Sequence, residues 1–345
     1  MVIDMGEKYL VPVPWLRVEG ALGTVPTELA ACGLFRAMKR GESGEGSEYF
    51  KVITDGLGMS PEQARARINK LRGLFESEIW EDFAAPVILH ANGVYELRDA
   101  HHRVCKMIVD GHTEIPVDLN QVDPMWLAFK DRLERIYSGR RLLYQPIEHP
   151  EFRDWEIDRS GRRTELIKDW LVYQEMFSVN EGSAGTAWDL GSCTGHISRM
   201  LRGLGFSVIG VEIDDNARAV ASYCNWIFDS LVSYRSGDLT NETGVPPHGG
   251  GAALTVCVSV LHRFLGQGYH QLVIDRLKRM VQETRVFITD GGAVGDVSLN
   301  KSIVSFETEP YMKWLGEVTN REVVHIGQTE KRDVFALAKP GILKK

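Results

Sequence analysis

The sequence has no surplus of positive charge: 40 lysines and arginines stand against 47 aspartates and glutamates, a formal net charge of −7. A chain with that balance lacks the field that draws proteins to a polyphosphate backbone, so nucleic acid is a disfavoured partner. Paired cysteines are missing too. Cys32, Cys105, Cys193, Cys224 and Cys257 lie far apart with no C-x-x-C, which argues against a zinc site or redox dithiol and for reduced thiols in a cytoplasmic protein. No run of 18 apolar residues occurs, and the N-terminus lacks a basic-then-apolar signal pattern, so neither a membrane span nor export is expected. Internal repeats are absent, and the local Gly249–Gly251 turn is the one low-complexity feature.

What is present is the balance of an ordinary folded protein, 43% hydrophobic and 25% charged over 345 residues. That length is about twice the usual 100–200 residues of one domain, so two domains are expected. In the first third, Tyr9–Pro14 reads as a strand whose two prolines confine it to an edge or a turn. Ser60 and Pro61 open a helix, and Ala91-Asn92-Gly93 turns between strands Pro86–His90 and Val94–Leu97. A short helix over Val104–Val109 and a strand over Ile115–Leu119 complete a compact α+β unit over 1–122. A polar helix at 124–138 and a stretch at 139–160 without periodicity form a helical linker over 123–160.

From there the pattern changes. After a helix over Thr164–Phe177, strands and helices alternate every 20–30 residues, which predicts a doubly wound parallel sheet over 161–345. Its strands are expected at Thr186–Asp189, Ser207–Glu212, Val232–Ser236, Ala253–Ser259 and Arg285–Thr289, with a terminal pair at Val323–Gly327 and Asp333–Ala338.

One motif carries most of the information. In Ala187-Trp-Asp-Leu-Gly-Ser-Cys-Thr-Gly-His-Ile-Ser198, a strand ending in Asp189 meets a turn with glycines at 191 and 195 and then a helix. The glycines let backbone approach a ligand, and the helix start favours a carboxylate or phosphate. Seventeen positions after Gly195, the next strand ends in Glu212, where nucleotide-binding sheets place the acceptor for a ribose diol. A third strand ends at Asp238. A dinucleotide dehydrogenase is the competing reading, but Ser192 and Cys193 stand where G-x-G-x-x-G needs its second glycine.

Residues 160–340 resemble the class I S-adenosylmethionine-dependent methyltransferases on these motifs. Asp189-Leu-Gly-Ser-Cys-Thr-Gly195 resembles the family's D-x-G-x-x-x-G loop, with Cys193 where many members carry glycine. The resemblance implies S-adenosyl-L-methionine as cofactor and a Rossmann-like sheet with a reversed last strand. It implies cofactor contacts from Asp189, Gly191, Ser192, Cys193, Gly195, Glu212, Ile213, Asp238, Leu239 and Ser259. Cys257-Val-Ser-Val-Leu-His-Arg-Phe264 falls where the family carries acceptor-facing residues. His262 there is the candidate general base, or else a cap of the next helix or a lining of the cofactor pocket. The D/N-P-P-Y/F loop and the Pro-Cys nucleophile of enzymes that modify DNA bases are absent, and no acid cluster calls for a metal. Arg159, Arg162 and Arg163, near Trp155, Trp170 and Tyr173, are candidates to close over the cofactor or to hold an anionic acceptor, Arg163 among the substrate- or phosphate-binding residues, or else form a solvated helix face.

Glu96-Leu-Arg-Asp-Ala-His-His-Arg-Val-Cys-Lys106 resembles the ParB/sulfiredoxin-like fold over roughly residues 8–120, with Ala100 replacing the usual glycine. That resemblance implies a phosphate contact at Arg103 with Asp99, His101 and His102 beside it; a helix cap plus surface charge is the alternative. The expected function is methyl transfer to an O or N of a small metabolite, phosphorylated or nucleotide-like acceptors included, with a homodimer among the partner expectations. The alternative is a ParB-like nucleotide-binding phosphotransferase, hydrolase or partner-binding module carrying an accessory methyltransferase fold.

Overall fold

The computed structural model describes residues 8–17, 30–77, 83–136, 138–157, 161–180, 182–241, 251–293, 304–329 and 332–344. The chain divides into two compact units, one of residues 1–130 with 148–153, the other of 131–147 with 154–345. Among the described residues no helix is long and apolar enough to cross a membrane.

The first unit is a mixed five-stranded sheet with helices. Its elements are β1 (Lys8–Pro12), β2 (Leu16–Arg17), α1 (Ala30–Lys39), α2 (Glu48–Lys51), α3 (Pro61–Glu76), β3 (Ala85–Leu89), β4 (Tyr95–Leu97), α4 (His101–Asp110), β5 (Glu114–Val122) and the start of α5 (Pro124–Ile136). The sheet order is β1-β5-β3-β4-β2. β1 lies at an edge, where prolines do not interrupt a ladder. α3 begins with a capping box in which the Ser60 hydroxyl accepts from the Gln63 N–H and the Gln63 side chain accepts from the Ser60 N–H. α4 starts at His101, three residues earlier than the sequence pattern suggests. Ala100 takes a left-handed φ of 66° and the Asp99 carboxylate accepts its N–H at 2.6 Å, turning the chain straight into the helix.

Segment 148–153 joins this unit through His149. The ring is buried among Trp15, Tyr95, Trp126 and Phe152. Its Nε2–H donates to the Gly93 carbonyl at 2.7 Å and its Nδ1 accepts from the Glu151 N–H at 3.1 Å. Both nitrogens are satisfied only by the neutral ring, and burial pushes its pKa down to about 3.

In the second unit, β6 (Leu142–Leu143) and β7 (Glu156–Ile157) pair in parallel, giving the expected linker structure of its own. α6 (Arg162–Tyr173), β8 (Thr186–Leu190), α7 (His196–Gly203), β9 (Ser207–Glu212), α8 (Asp215–Ile227), β10 (Ser233–Ser236), β11 (Ala252–Cys257), α9 (Leu261–Gly266), α10 (His270–Gln282), β12 (Thr284–Asp290), α11 (Thr308–Thr319), β13 (Glu322–Thr329) and β14 (Arg332–Ala338) follow. α6 stops four residues short of Phe177 because Glu175 turns left-handed at φ 56° and the Met176 N–H closes back onto the Leu171 carbonyl.

The seven-stranded sheet runs β10-β9-β8-β11-β12-β14-β13. Its pairings are parallel except at β14, which is antiparallel to both neighbours. Successive strand residues serve opposite faces. Trp188, Leu190, Phe287 and Phe335 pack with Leu265, Leu277 and Tyr311 of α9, α10 and α11. Ala187, Leu254, Val286 and Ile288 pack with Ile167 and Leu171 of α6 and Ile197 and Leu201 of α7. With both faces covered, the central strands are mostly apolar, and polar residues collect at and after their ends.

Candidate active site

The turn after β8 is held against the end of β9. The Gly191 and Ser192 N–H groups both donate to the Val211 carbonyl, at 2.8 and 3.0 Å, and the Gly195 N–H closes on the Ser192 carbonyl. Gly191 and Gly195 sit at φ 75° and 80°, and Cys193 between them is also left-handed at 51°. Glu212, at the end of β9, ties this turn down: its carboxylate accepts from the Cys193 N–H at 2.8 Å and from the Asp214 N–H at 2.9 Å. Each oxygen keeps lone-pair capacity for a further donor.

A cavity of about 440 Å³ opens over these strand ends. Of the residues singled out in the sequence, Gly191, Cys193, Glu212, Ile213, Asp238, Leu239, Ser259 and Arg163 line it. Ile213 is 62% exposed, a large apolar side chain presented beside Glu212. Tyr144, Gln145, Thr164, His196, Arg263 and Phe264 line it as well.

Other nominated residues stand elsewhere. Asp189 is buried beneath the turn, where it accepts the Ser198 hydroxyl at 2.5 Å. Desolvation, with the Glu212 charge adding to it, pushes its pKa up to about 7. Ser192 and Gly195 shape the turn without lining the cavity. His262 is not part of the cavity wall either. It is 2% exposed, its Nε2 takes a hydrogen bond from Arg332 Nη1 at 3.0 Å, and its Nδ1 lies 3.7 Å from Asp290 Oδ1. An arginine only donates, so Nε2 is already an acceptor and has no room for a substrate's proton. Arg159 lies outside the described residues.

Asp99, His101, His102 and Arg103 do come together at the start of α4 in the first unit. Asp99 and Arg103 are exposed, while His101 and His102 are partly buried. Asp99 caps Ala100, and the His102 Nε2 is 2.9 Å from the Tyr49 hydroxyl, which also accepts from Arg67 Nε at 2.8 Å. Burial and the Arg67 charge push His102 down to about 4, so it is neutral at pH 7.

His196, missed in the sequence, is the imidazole that does face the cavity, and its place directly after Gly195 was the available signal. Burial and Arg199 lower its pKa to about 4. Its backbone N–H points at Gln145 Oε1, 3.4 Å away. Tyr144 and Gln145 come from the aperiodic stretch, where no pattern marks a wall.

Cys193 is the half-exposed cysteine at this cavity, while Cys32, Cys105, Cys224 and Cys257 are buried. Iodoacetamide on the native protein is therefore expected to modify Cys193 first, read by peptide mass mapping. Modification of any buried cysteine at a comparable rate would contradict this placement.

No protein-family model and no curated protein matches this chain. Solved structures do. WbdD, described as a bifunctional kinase-methyltransferase, is 18% identical over 60% of this chain and 46% of its own, with a TM-score of 0.48; the match thus spans less than half of WbdD. Magnesium protoporphyrin IX methyltransferase (ChlM) from Synechocystis PCC 6803, solved with bound SAH, is 16% identical over 52% of this chain and 83% of its own, TM-score 0.40. The methyltransferase domain of a bacterial Hen1 (CtHen1) is 14% identical over 52% and 98%, TM-score 0.38.

Proposed function

We propose that the second unit is an S-adenosylmethionine-dependent methyltransferase for a small-molecule acceptor. The observation that carries this reading is the convergence of three adjacent parallel strand ends on one cavity: the Gly191 turn after β8, Glu212 ending β9 and Asp238 after β10. Cofactor fits the residues present. Glu212 offers carboxylate lone pairs to a ribose diol and Asp238 offers them to an adenine amine, while Ile213 and Leu239 supply apolar faces for the base. Gly191 leaves room for the amino-acid end. A methyl group on a sulfonium is what the cofactor supplies when bound.

Transfer of that group is an in-line displacement, so the protein's work is alignment and exclusion of water. Tyr144, Gln145 and Thr164 also line the cavity, beside the cofactor acids, and bound the space left for the acceptor. A neutral His196 can accept a hydrogen bond there. His262, engaged by Arg332, serves the frame of the site rather than the proton. In the first unit, the Asp99 carboxylate accepts the Ala100 N–H at the start of α4.

Calorimetric titration tests the reading. S-adenosylmethionine is expected to bind the full chain at micromolar concentration and Glu212→Ala about tenfold more weakly, a loss of about 1.4 kcal/mol. Absence of any binding to the folded wild type would overturn the assignment.

A further inference from the structure

Two helices start at this cavity. α6 begins after Gly161 and α7 after Gly195, and residues of both first turns, Arg163, Thr164, His196 and Ile197, line the cavity. The two starts lie close together: a Cβ on Gly161 would stand 3.7 Å from His196 Nε2. Glycine has no side chain with which to cap, and neither start carries a side-chain cap. First-turn N–H groups and the positive end of the helix dipole favour an anion at such a place.

A second observation points to a ligand. His196 and Thr164 are 9% and 5% exposed, so each cavity-lining side chain is more than nine-tenths buried. Neither the His196 ring nor the Thr164 hydroxyl has a hydrogen-bond partner among the described residues; what His196 engages is its backbone N–H, toward Gln145. Folded proteins leave few buried polar groups in that state, because each has given up water without a replacement. Both groups can donate. The hydroxyl has its O–H, and a neutral imidazole has one N–H beside its acceptor nitrogen. Burial and the Arg199 charge keep the ring neutral at pH 7. Arg163 is committed elsewhere, its Nη1 to the Ser259 hydroxyl at 2.6 Å and to Asp290 Oδ2 at 3.2 Å.

The place of these groups in the cavity decides which anion they meet. Adenosine over Asp238 and Glu212 puts the cofactor's amino-acid end over the Gly191 turn, and His196 is the first residue beyond the glycine that closes this turn. We propose that His196 and Thr164 hold the carboxylate of that amino-acid end, the imidazole N–H and the hydroxyl each donating to it where α6 and α7 begin. The assignment rests on the methyltransferase reading. A hydrogen bond from a neutral donor to a carboxylate is charge-assisted and stronger than one between neutral groups. At this corner the wall that bounds the acceptor's space also meets the cofactor. The consequence is selectivity: a nucleoside without the carboxylate leaves both buried donors unpaired, and that costs affinity.

The experiment compares S-adenosylhomocysteine with its decarboxylated analogue, which keeps the amine, by calorimetry on the full chain. Wild type is expected to prefer S-adenosylhomocysteine by about tenfold or more, and the preference to fall about fivefold in His196→Phe and in Thr164→Val. Affinity for the decarboxylated analogue is expected to stay within about twofold in both variants. An unchanged preference in either variant, or an equal loss of affinity for both ligands, would overturn the proposal. A measurement on the wild type covers a variant that fails to fold. In nitrogen-15 spectra the His196 ring resonances are expected to move on addition of S-adenosylhomocysteine and to stay near their ligand-free positions with the decarboxylated analogue. Equal movement with both ligands would contradict the contact. If neither ligand binds the folded wild type, the methyltransferase reading fails and takes this assignment with it; equal binding of the two overturns this assignment alone.

Discussion

Gly195→Ala is expected to lose measurable S-adenosylmethionine binding and to destabilise the second unit by about 2–5 kcal/mol. Gly195 closes the turn after β8 at φ 80°, a left-handed conformation that costs an L-residue with a side chain roughly 1–2 kcal/mol. An added Cβ would overlap the Tyr234 hydroxyl and come within 3.2 Å of the Ala221 Cβ, and such overpacking costs about 1–3 kcal/mol more. Relief requires either the turn or Tyr234 to shift, and the turn holds the Cys193 N–H on Glu212. The internal control is Gly203→Ala at the other end of α7, where a Cβ meets nothing within 4 Å and φ is ordinary. That substitution is expected to be neutral or to stabilise by about 0.5–1 kcal/mol through the lower entropy of the unfolded chain. Urea unfolding followed by tryptophan fluorescence, beside cofactor titration, separates the two. Equal behaviour of the two variants would show that the turn tolerates a side chain and that its geometry is not what binds the cofactor.

Asp189→Asn is expected to stabilise the protein at pH 8, by at most about 4 kcal/mol, and to leave stability at pH 4 unchanged. The folded carboxyl has its pKa near 7 against 3.8 for the ordinary group, because it is fully buried next to the Glu212 charge. Between those values the unfolded chain has released the proton and the folded chain keeps it. The unfolded state therefore binds fewer protons, and stability falls as pH rises from about 4 to 7, then levels off with a charge buried. About three units at roughly 1.4 kcal/mol each set the upper limit. Asparagine never ionises and still accepts the Ser198 hydroxyl, so the variant escapes the loss without giving up the hydrogen bond. Denaturation at a series of pH values gives the difference directly. Cofactor affinity provides the second readout: Asp189 does not line the cavity, so binding should change less than about twofold, within the scatter of additive distant effects. A large loss of affinity with normal stability would return Asp189 to the contact role suggested by its motif.

Local features of both units were legible because they rest on short-range chemistry. Ser60-Pro61 announces α3 and Asn92-Gly93 announces the β3–β4 turn, since capping and left-handed turns need only neighbouring atoms. The three strand-end features of the candidate site were legible for a related reason. In a sheet covered on both faces the strands must be apolar, so the polar residue ending each run marks the edge where ligands meet the chain. Boundaries were less legible. α4 begins three residues early because Ala100 adopts a conformation that its type disfavours, and α6 ends early because Glu175 does the same.

The role of His262 shows where such reading stops. Following a strand end, its type and position suit a base. What it touches is Arg332, 70 residues on, and Asp290, on the neighbouring strand. Neither contact has any local signature: β14 returns antiparallel into the sheet, and that reversal alone brings Arg332 alongside the end of β12. Tyr144 and Gln145 became cavity wall in the same way, from a stretch whose sequence carries no period.

By itself, then, the sequence determined the alternation of strands and helices, the glycine turn and the acids that end β9 and follow β10, because each depends on backbone conformation or burial pattern within a few residues. Tertiary structure alone decided which polar groups face the cavity and which face one another. Asp189 and His262 went inward to Ser198 and to the Arg332–Asp290 pair, while Ser259, Arg163 and His196 line the cavity. That sorting follows from hydrogen bonds between residues far apart in the chain, since a polar group leaves water only where the fold brings it a partner.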